Sequence, residues 1–264
     1  MGRTRPQLKL ARSPLSLVLA QVRFERLEAM ANYMPAIQDR LRRGGYPLNK
    51  SGRIKELQVT AQGARQSERP HWEFLSKDRH TGVVLNEGFV VLQTTRYEGF
   101  EQFLDAFVQL TRIVSEEVHG LYLQRLGLRY VDAIQAGEGE SWKDYVQPGL
   151  HGFEGEVLHA ASVLNLHQTV ASTRDGTMIV RLMQNRDGAL LPPDLVTTSL
   201  AQPDIPPAKP GDLVTLLDID HFCQQDSDEF DERAFIEMAW RLKNDSYVVF
   251  ADYAVTKRAL EVWR

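Results

Sequence analysis

Gln93-Thr94-Thr95-Arg96-Tyr97 and Leu126-Gly127-Leu128-Arg129-Tyr130 decide the reading of this chain. Both segments are strand-like, both end in Arg-Tyr, and they flank one amphipathic stretch. In that stretch Phe100, Phe103, Leu104, Phe107, Leu110, Ile113, Val114 and Val118 recur at steps of three and four, which predicts a helix over residues 99–118. Strand, helix and strand in that order fix a local architecture. They also place arginines inside strands, where a long charged side chain needs a partner.

Working towards the N-terminus, Leu15 to Phe24 alternate, with Val18, Ala20, Val22 and Phe24 on one face and Arg23 on the other. The basic start and short apolar run superficially resemble a signal peptide. However, Gln21 and Arg23 interrupt it and no clean small-residue cleavage site follows, so a strand and a cytoplasmic location are expected. Residues 1–13 read as a loose arm. A helix over 27–43 follows, closed by Gly44-Gly45, with Arg40, Arg42 and Arg43 where the helix dipole favours cations. Strands are expected over 55–61, 71–77 and 82–97, the last broken at Glu87-Gly88, and again over 121–134.

Beyond residue 135 the chain is glycine-rich to 156, with a short helical turn near Trp142–Val146. A hairpin is expected over 156–171 and 177–185, turning at Asp175-Gly176. Six prolines make 192–211 a loop, a strand follows from Leu213 to Phe222, and helices cover 231–242 and 245–262. The fold class is therefore α+β, largely antiparallel, with helices packed on one face. Two halves, 1–135 and 136–264, are expected to pack as one compact unit, with at most a weak pseudo-duplication.

Composition limits the function classes. Hydrophobic content of 43% and charged content of 25% suit a globular protein, and no apolar run approaches the roughly 20 residues of a membrane-spanning helix. Cys223 is the single cysteine, which excludes an internal disulfide and a cysteine-based zinc site and reads best as a packed thiol. Net charge is −4, but residues 1–65 carry thirteen basic side chains against four acidic ones. That asymmetry admits a nucleic-acid partner; solvated or mutually paired charges are the plainer expectation.

The candidate ligand-binding residues are Arg23, Arg129, Arg181, Asp218 and Asp220, with Arg96 as a further strand arginine and Asp132 as a further candidate neighbour of the arginines. Asp218 and Asp220 flank Ile219, so a strand places both on one face roughly 6–7 Å apart. Gathered arginines could grip a phosphate, and paired carboxylates could hold its magnesium ion. The alternative is cross-strand Arg–Asp pairing, which needs no ligand. His159 and His167 lack metal-ligand spacing, and His221 reads as an ordinary histidine. No Walker loop, dinucleotide fingerprint or Gly-x-Ser-x-Gly elbow is present, so no catalytic residue, metal or cofactor is assigned.

Several segments together resemble a sporadically distributed bacterial protein family of unknown function. They are Pro14-Leu15 leading into Val22-Arg23-Phe24, Thr94-Thr95-Arg96-Tyr97, and Leu126-Gly127-Leu128-Arg129-Tyr130-Val131-Asp132. Leu217-Asp218-Ile219-Asp220, Phe250 and Val255-Thr256 complete the pattern. Trp240 departs from it, standing where the resemblance leads one to expect a histidine. The resemblance implies no catalytic residues; the family's patchy occurrence implies an accessory, mobile-element or defence-type role. The leading expectation is a non-enzymatic binding or protein-interaction protein. A phosphate- or nucleotide-ligand enzyme or sensor, and a nucleic-acid binder, are the alternatives. The partner is then an unknown protein or a small anionic ligand, and oligomeric state stays open.

Overall fold

A computed structural model describes residues 10–60, 63–151, 165–185, 188–195, 199–206 and 213–264. Its centre is one antiparallel sheet of nine strands: β1 (Leu15–Phe24), β2 (Leu48–Thr60), β3 (Gly63–Leu75), β4 (Thr81–Asn86), β5 (Phe89–Thr94), β6 (Tyr122–Ile134), β7 (Asn165–Ser172), β8 (Thr177–Asn185) and β9 (Val214–Glu229). Their spatial order is β2-β3-β4-β5-β1-β6-β9-β8-β7. The halves on either side of residue 135 share this sheet, because β6 pairs with β9 along nearly its whole length.

Alternation sorts the sheet into two faces. Val18, Ala20 and Val22 of β1, their partners Val90 and Leu92 of β5, and Leu126 and Leu128 of β6 point to the same side and are fully buried. Helices α1 (Met30–Arg43), α2 (Phe100–Glu117) and α3 (Glu232–Val248) cover that side, and α4 (Lys257–Trp263) covers its far end. Phe103, Leu104, Phe107, Leu110 and Val114 form the buried stripe of α2, each contributing about 1.5–3 kcal/mol of apolar burial. No helix among the described residues is long and apolar enough to cross a membrane.

Some boundaries differ from expectation. The β2–β3 hairpin runs from Leu48 to Leu75 and extends past β4, which pairs only with His71–Leu75. Its polar stretch obscured the strand signal because a two-stranded ribbon need not bury a face. Strand β9 continues to Glu229, so Asp226 and Asp228 lie in a strand and Asp231 alone caps α3, accepting from the Ala234 amide at 2.7 Å. Helix α3 runs unbroken through 243–245 and widens into a π-helical turn over Val249–Ala254 before Thr256 caps α4. Arg96 lies beyond β5, in the turn before α2, and so is no strand arginine. The first arm of the hairpin expected from 156 is described only from Asn165, where β7 begins, and His159 lies outside the described residues.

The proline-rich segment is a strap across the face opposite the helices. Asp194 meets Arg129, Ser199 donates to Glu73, and Ala201 exchanges hydrogen bonds with Arg79 and Thr95. Leu190 and Ile205 pack on Ala133 and Leu216 beneath it.

Candidate functional site

Strand pairing places all five expected site residues on the strap-side face. Arg129 lies opposite Asp220, and Arg181 opposite Asp218, while Arg23 sits beside Arg125. Three of them join in one ion-pair cluster. The Asp218 carboxylate is fully buried; Arg129 donates to both its oxygens at 2.8 Å, and Arg181 donates at 2.9 Å. The other edge of Arg129 is bidentate on Asp194 of the strap, at 2.6 and 3.1 Å. Burial alone would lower the Arg129 pKa, but Asp218 and Asp194 outweigh it and hold the guanidinium firmly charged.

Asp220 belongs to a neighbouring pair. It faces Arg125 at 3.4 Å, and Arg125 lies over the Phe222 ring at 4.0 Å and donates to Gln21 at 2.6 Å. Gly127 makes this possible. A Cβ there would stand 3.2 Å from Phe222 and 3.3 Å from the Arg125 guanidinium, so the glycine of Leu-Gly-Leu-Arg-Tyr leaves the space in which Arg125 lies flat. Arg23 is exposed and shares Gln21 with Arg125 without joining the cluster. Arg96 is likewise occupied, by Asp78 and Asp204 at 2.8 and 2.9 Å. On this face each arginine of the cluster has its carboxylate.

The opposite face is different. Tyr130 and Asp132 alternate with Arg129 and Val131, so they point towards the helices. There they line a cavity of about 530 Å³ with Tyr97, Ile219, Lys243, Ser246, Tyr247 and Phe250; Leu10 and Leu15 complete its apolar wall. The Tyr97 and Tyr130 rings meet edge to face, 6.3 Å between centroids. Their hydroxyls are buried and neither finds a hydrogen-bond partner in good geometry. Burial raises both phenol pKa values, and the nearness of Tyr97 adds to the effect at Tyr130.

Asp132 is 3% exposed, and its carboxyl has no hydrogen bond or ion pair among the described residues. Burial, reinforced by the charge of Asp218, pushes its pKa up to about 8. Lys243 enters from α3, 5% exposed, with its ammonium 5.4–5.9 Å from the ring centres of Tyr247, Trp240 and Phe100. It makes a long 3.5 Å approach to the Asn244 side chain, and burial lowers its pKa. Trp240 packs edge-on against Phe100 at 4.7 Å and so forms a wall of this aromatic cage.

Reasoning from sequence missed Tyr97, Tyr130 and Lys243, and it expected Asp132 beside the strand arginines, whereas Asp132 points to the opposite face. A signal for three of these four was present: each Arg-Tyr pair contains a tyrosine as well as an arginine, and Asp132 shares the parity of Tyr130. The remaining groups read as ordinary structure. His221 is buried and bonded to Thr173 and the Leu242 carbonyl, Cys223 is buried with its thiol pKa raised by burial, and Arg40, Arg42 and Arg43 pair with Glu116, Glu117 and Asp39. Among the described residues no group of three or more His, Cys, Asp or Glu side chains could hold a metal ion. Comparison with protein-family models, with curated proteins and with solved structures returns no match to this chain.

Proposed function

We propose that this chain is a binding protein for a small organic molecule, held in the cavity between the β6–β9 strand pair and α3. The observation that carries the reading is convergence. Tyr97, Tyr130 and Asp132 line the same cavity; the two phenol hydroxyls are buried with no partner in good geometry, and the buried carboxyl has no side-chain hydrogen bond among the described residues. Buried polar groups are nearly always hydrogen-bonded, and each one left unsatisfied costs about 1–3 kcal/mol. A ligand that supplies the partners recovers that loss. The cavity volume suits a small molecule, and its mixture of apolar wall and few polar groups is what such a site needs.

The other expected readings have less support. A phosphate or nucleotide on the arginine face would have to displace Asp194, because Arg129 and Arg181 are already matched by Asp194 and Asp218. Nucleic-acid binding through α1 would compete with the acids that hold its arginines. A cytoplasmic setting, and the accessory role implied by the family resemblance, belong to the proposal and rest on the sequence motifs alone.

A fragment library screened by thermal shift and ligand-detected NMR tests the reading against Gly99→Trp. Gly99 lines the cavity, its backbone is extended, and an added Cβ meets nothing within 4 Å, so a bulky side chain can be introduced at the cavity wall. Fragments should bind the wild-type chain and lose affinity for the variant. Equal binding to both, or no binding to the wild-type chain, overturns the proposal.

A further inference from the structure

We propose that the cavity selects an oxyanion or carbonyl oxygen carried on an apolar body, received by the hydroxyls of Tyr97 and Tyr130 and the carboxyl of Asp132, with Lys243 as the local positive charge. This rests on the cavity being a ligand site and names the chemistry of what it takes.

The inference follows from counting donors. Each phenol offers an O–H, and neither O–H is used within the protein in good geometry. A carboxylate would normally be an acceptor only. Asp132, however, is buried with no cation at ion-pair distance among the described residues. The titratable groups that share its cavity are Tyr97 and Glu98 from the turn before α2, Tyr130 from its own strand, and Lys243 and Tyr247 from α3, with Asp218 behind it on the other face. Lys243 favours the carboxylate, as would a phenol donating to it, whereas burial and Asp218 favour the neutral acid and outweigh them. Burial and Asp218 together keep the proton on Asp132 at neutral pH, so this group too donates. A carboxylic acid held neutral by an apolar site, beside a tyrosine, is an effective acceptor-binding device.

Lys243 adds three donors and no acceptor. The floor is therefore rich in donors, while Leu10, Leu15, Ile219 and Phe250 supply apolar surface for the rest of the ligand. An oxygen bearing negative charge satisfies several donors at once and gains from Lys243. An ammonium ion in the same position would meet donors and a like charge. Charge and hydrogen-bond polarity thus point the same way.

The test uses the full chain with two matched probes, 4-nitrophenol and 4-methylbenzylamine. The yellow phenolate band reports the protonation state of bound nitrophenol directly. Nitrophenol should bind as the phenolate at a pH where the free phenol is largely protonated, and Gly99→Trp should abolish that binding. Tyr97→Phe and Tyr130→Phe keep the ring packing, checked by circular dichroism, and each should weaken it by roughly 10- to 100-fold. Wild-type affinity should fall as pH rises through about 8, where Asp132 becomes an anion, and Asp132→Asn should remove that fall.

Undiminished phenolate binding in both Tyr→Phe variants overturns the assignment of the donors. Tighter binding of the amine, sensitive to Gly99→Trp, overturns the ligand class while the binding reading stands. Binding of neither probe, with library fragments still captured by the cavity, also overturns the class; binding of neither probe and of no fragment overturns both readings.

Discussion

Asp132 and Asp218 come from paired strands, one position out of step, and point through opposite faces of the same sheet: Val131 lies opposite Asp218, and Asp132 opposite Leu217. Both carboxyls are buried, at 3% and 0% exposure. Asp218 receives three charged hydrogen bonds from Arg129 and Arg181, whereas Asp132 receives none. One face has resolved its buried charge within the protein, and the other has left it open to the cavity.

That difference predicts the pH dependence of stability. Between about pH 4 and pH 8 the folded chain retains the Asp132 proton, which the unfolded chain has released above its ordinary value of 3.8. The folded state then binds more protons than the unfolded state, so stability falls as pH rises through this window. Asp132→Asn removes the contribution. The variant should be more stable than wild type at pH 8 by on the order of a few kcal/mol, with the difference vanishing near pH 4. Urea denaturation of both proteins at several pH values measures it, and parallel pH profiles would contradict the assignment. Asp220, also raised by burial, slopes the same way in both proteins and cancels in the comparison.

The arginine face predicts two unequal losses. Asp218→Asn leaves buried Arg129 and half-buried Arg181 without their shared carboxylate, and should destabilise by about 3–5 kcal/mol. Asp194→Asn removes a carboxylate whose side chain is 62% exposed, and should cost about 1 kcal/mol or less. Equilibrium denaturation decides between this order and its reverse. Similar losses would mean that the strap contact, and not the sheet cluster, holds Arg129.

Tyr130→Phe separates packing from hydrogen bonding. The ring packs edge-on against Tyr97, but the hydroxyl has no partner in good geometry. Deleting the hydroxyl should leave stability unchanged or raise it by about 1 kcal/mol. A clear loss of stability would mean that the hydroxyl is satisfied within the protein and is not held for a ligand.

Much of the architecture was legible because the helical stripe of α2 and the alternation of β1 and β6 bury what their periods predict. Part of the arginine face was legible for the same reason: parity puts Asp218 and Asp220 on one face of their strand and Arg129 on the polar side of its own, whereas the register that joins them was not encoded locally. The cavity was not legible. Tyr97 follows a bend after β5, so strand parity says nothing of where it points. Lys243 falls where polar residues suggested a break between two helices, yet α3 continues through it. Its neighbours across the cavity come from β5–α2, β6 and the N-terminal segment, contacts distant in sequence that local periodicity does not encode.

Gly176 offers a last test, of the strand pairing that carries the arginine cluster. It closes the β7–β8 turn against β9, where a Cβ would stand 2.0 Å from the Phe222 carbonyl oxygen and 2.9 Å from the Cys223 Cα. Backbone on both sides leaves no flexible side chain to yield. Gly176→Ala must therefore push the turn away from β9, loosening the Thr177–Phe222 pairing and the 2.9 Å contact of Thr173 with His221. A loss of about 3 kcal/mol is expected. Gly99→Ala is the control, since its added Cβ meets nothing within 4 Å and its backbone is extended. If the two variants melt together, the close approach of the turn to β9 is not a feature of the folded chain in solution.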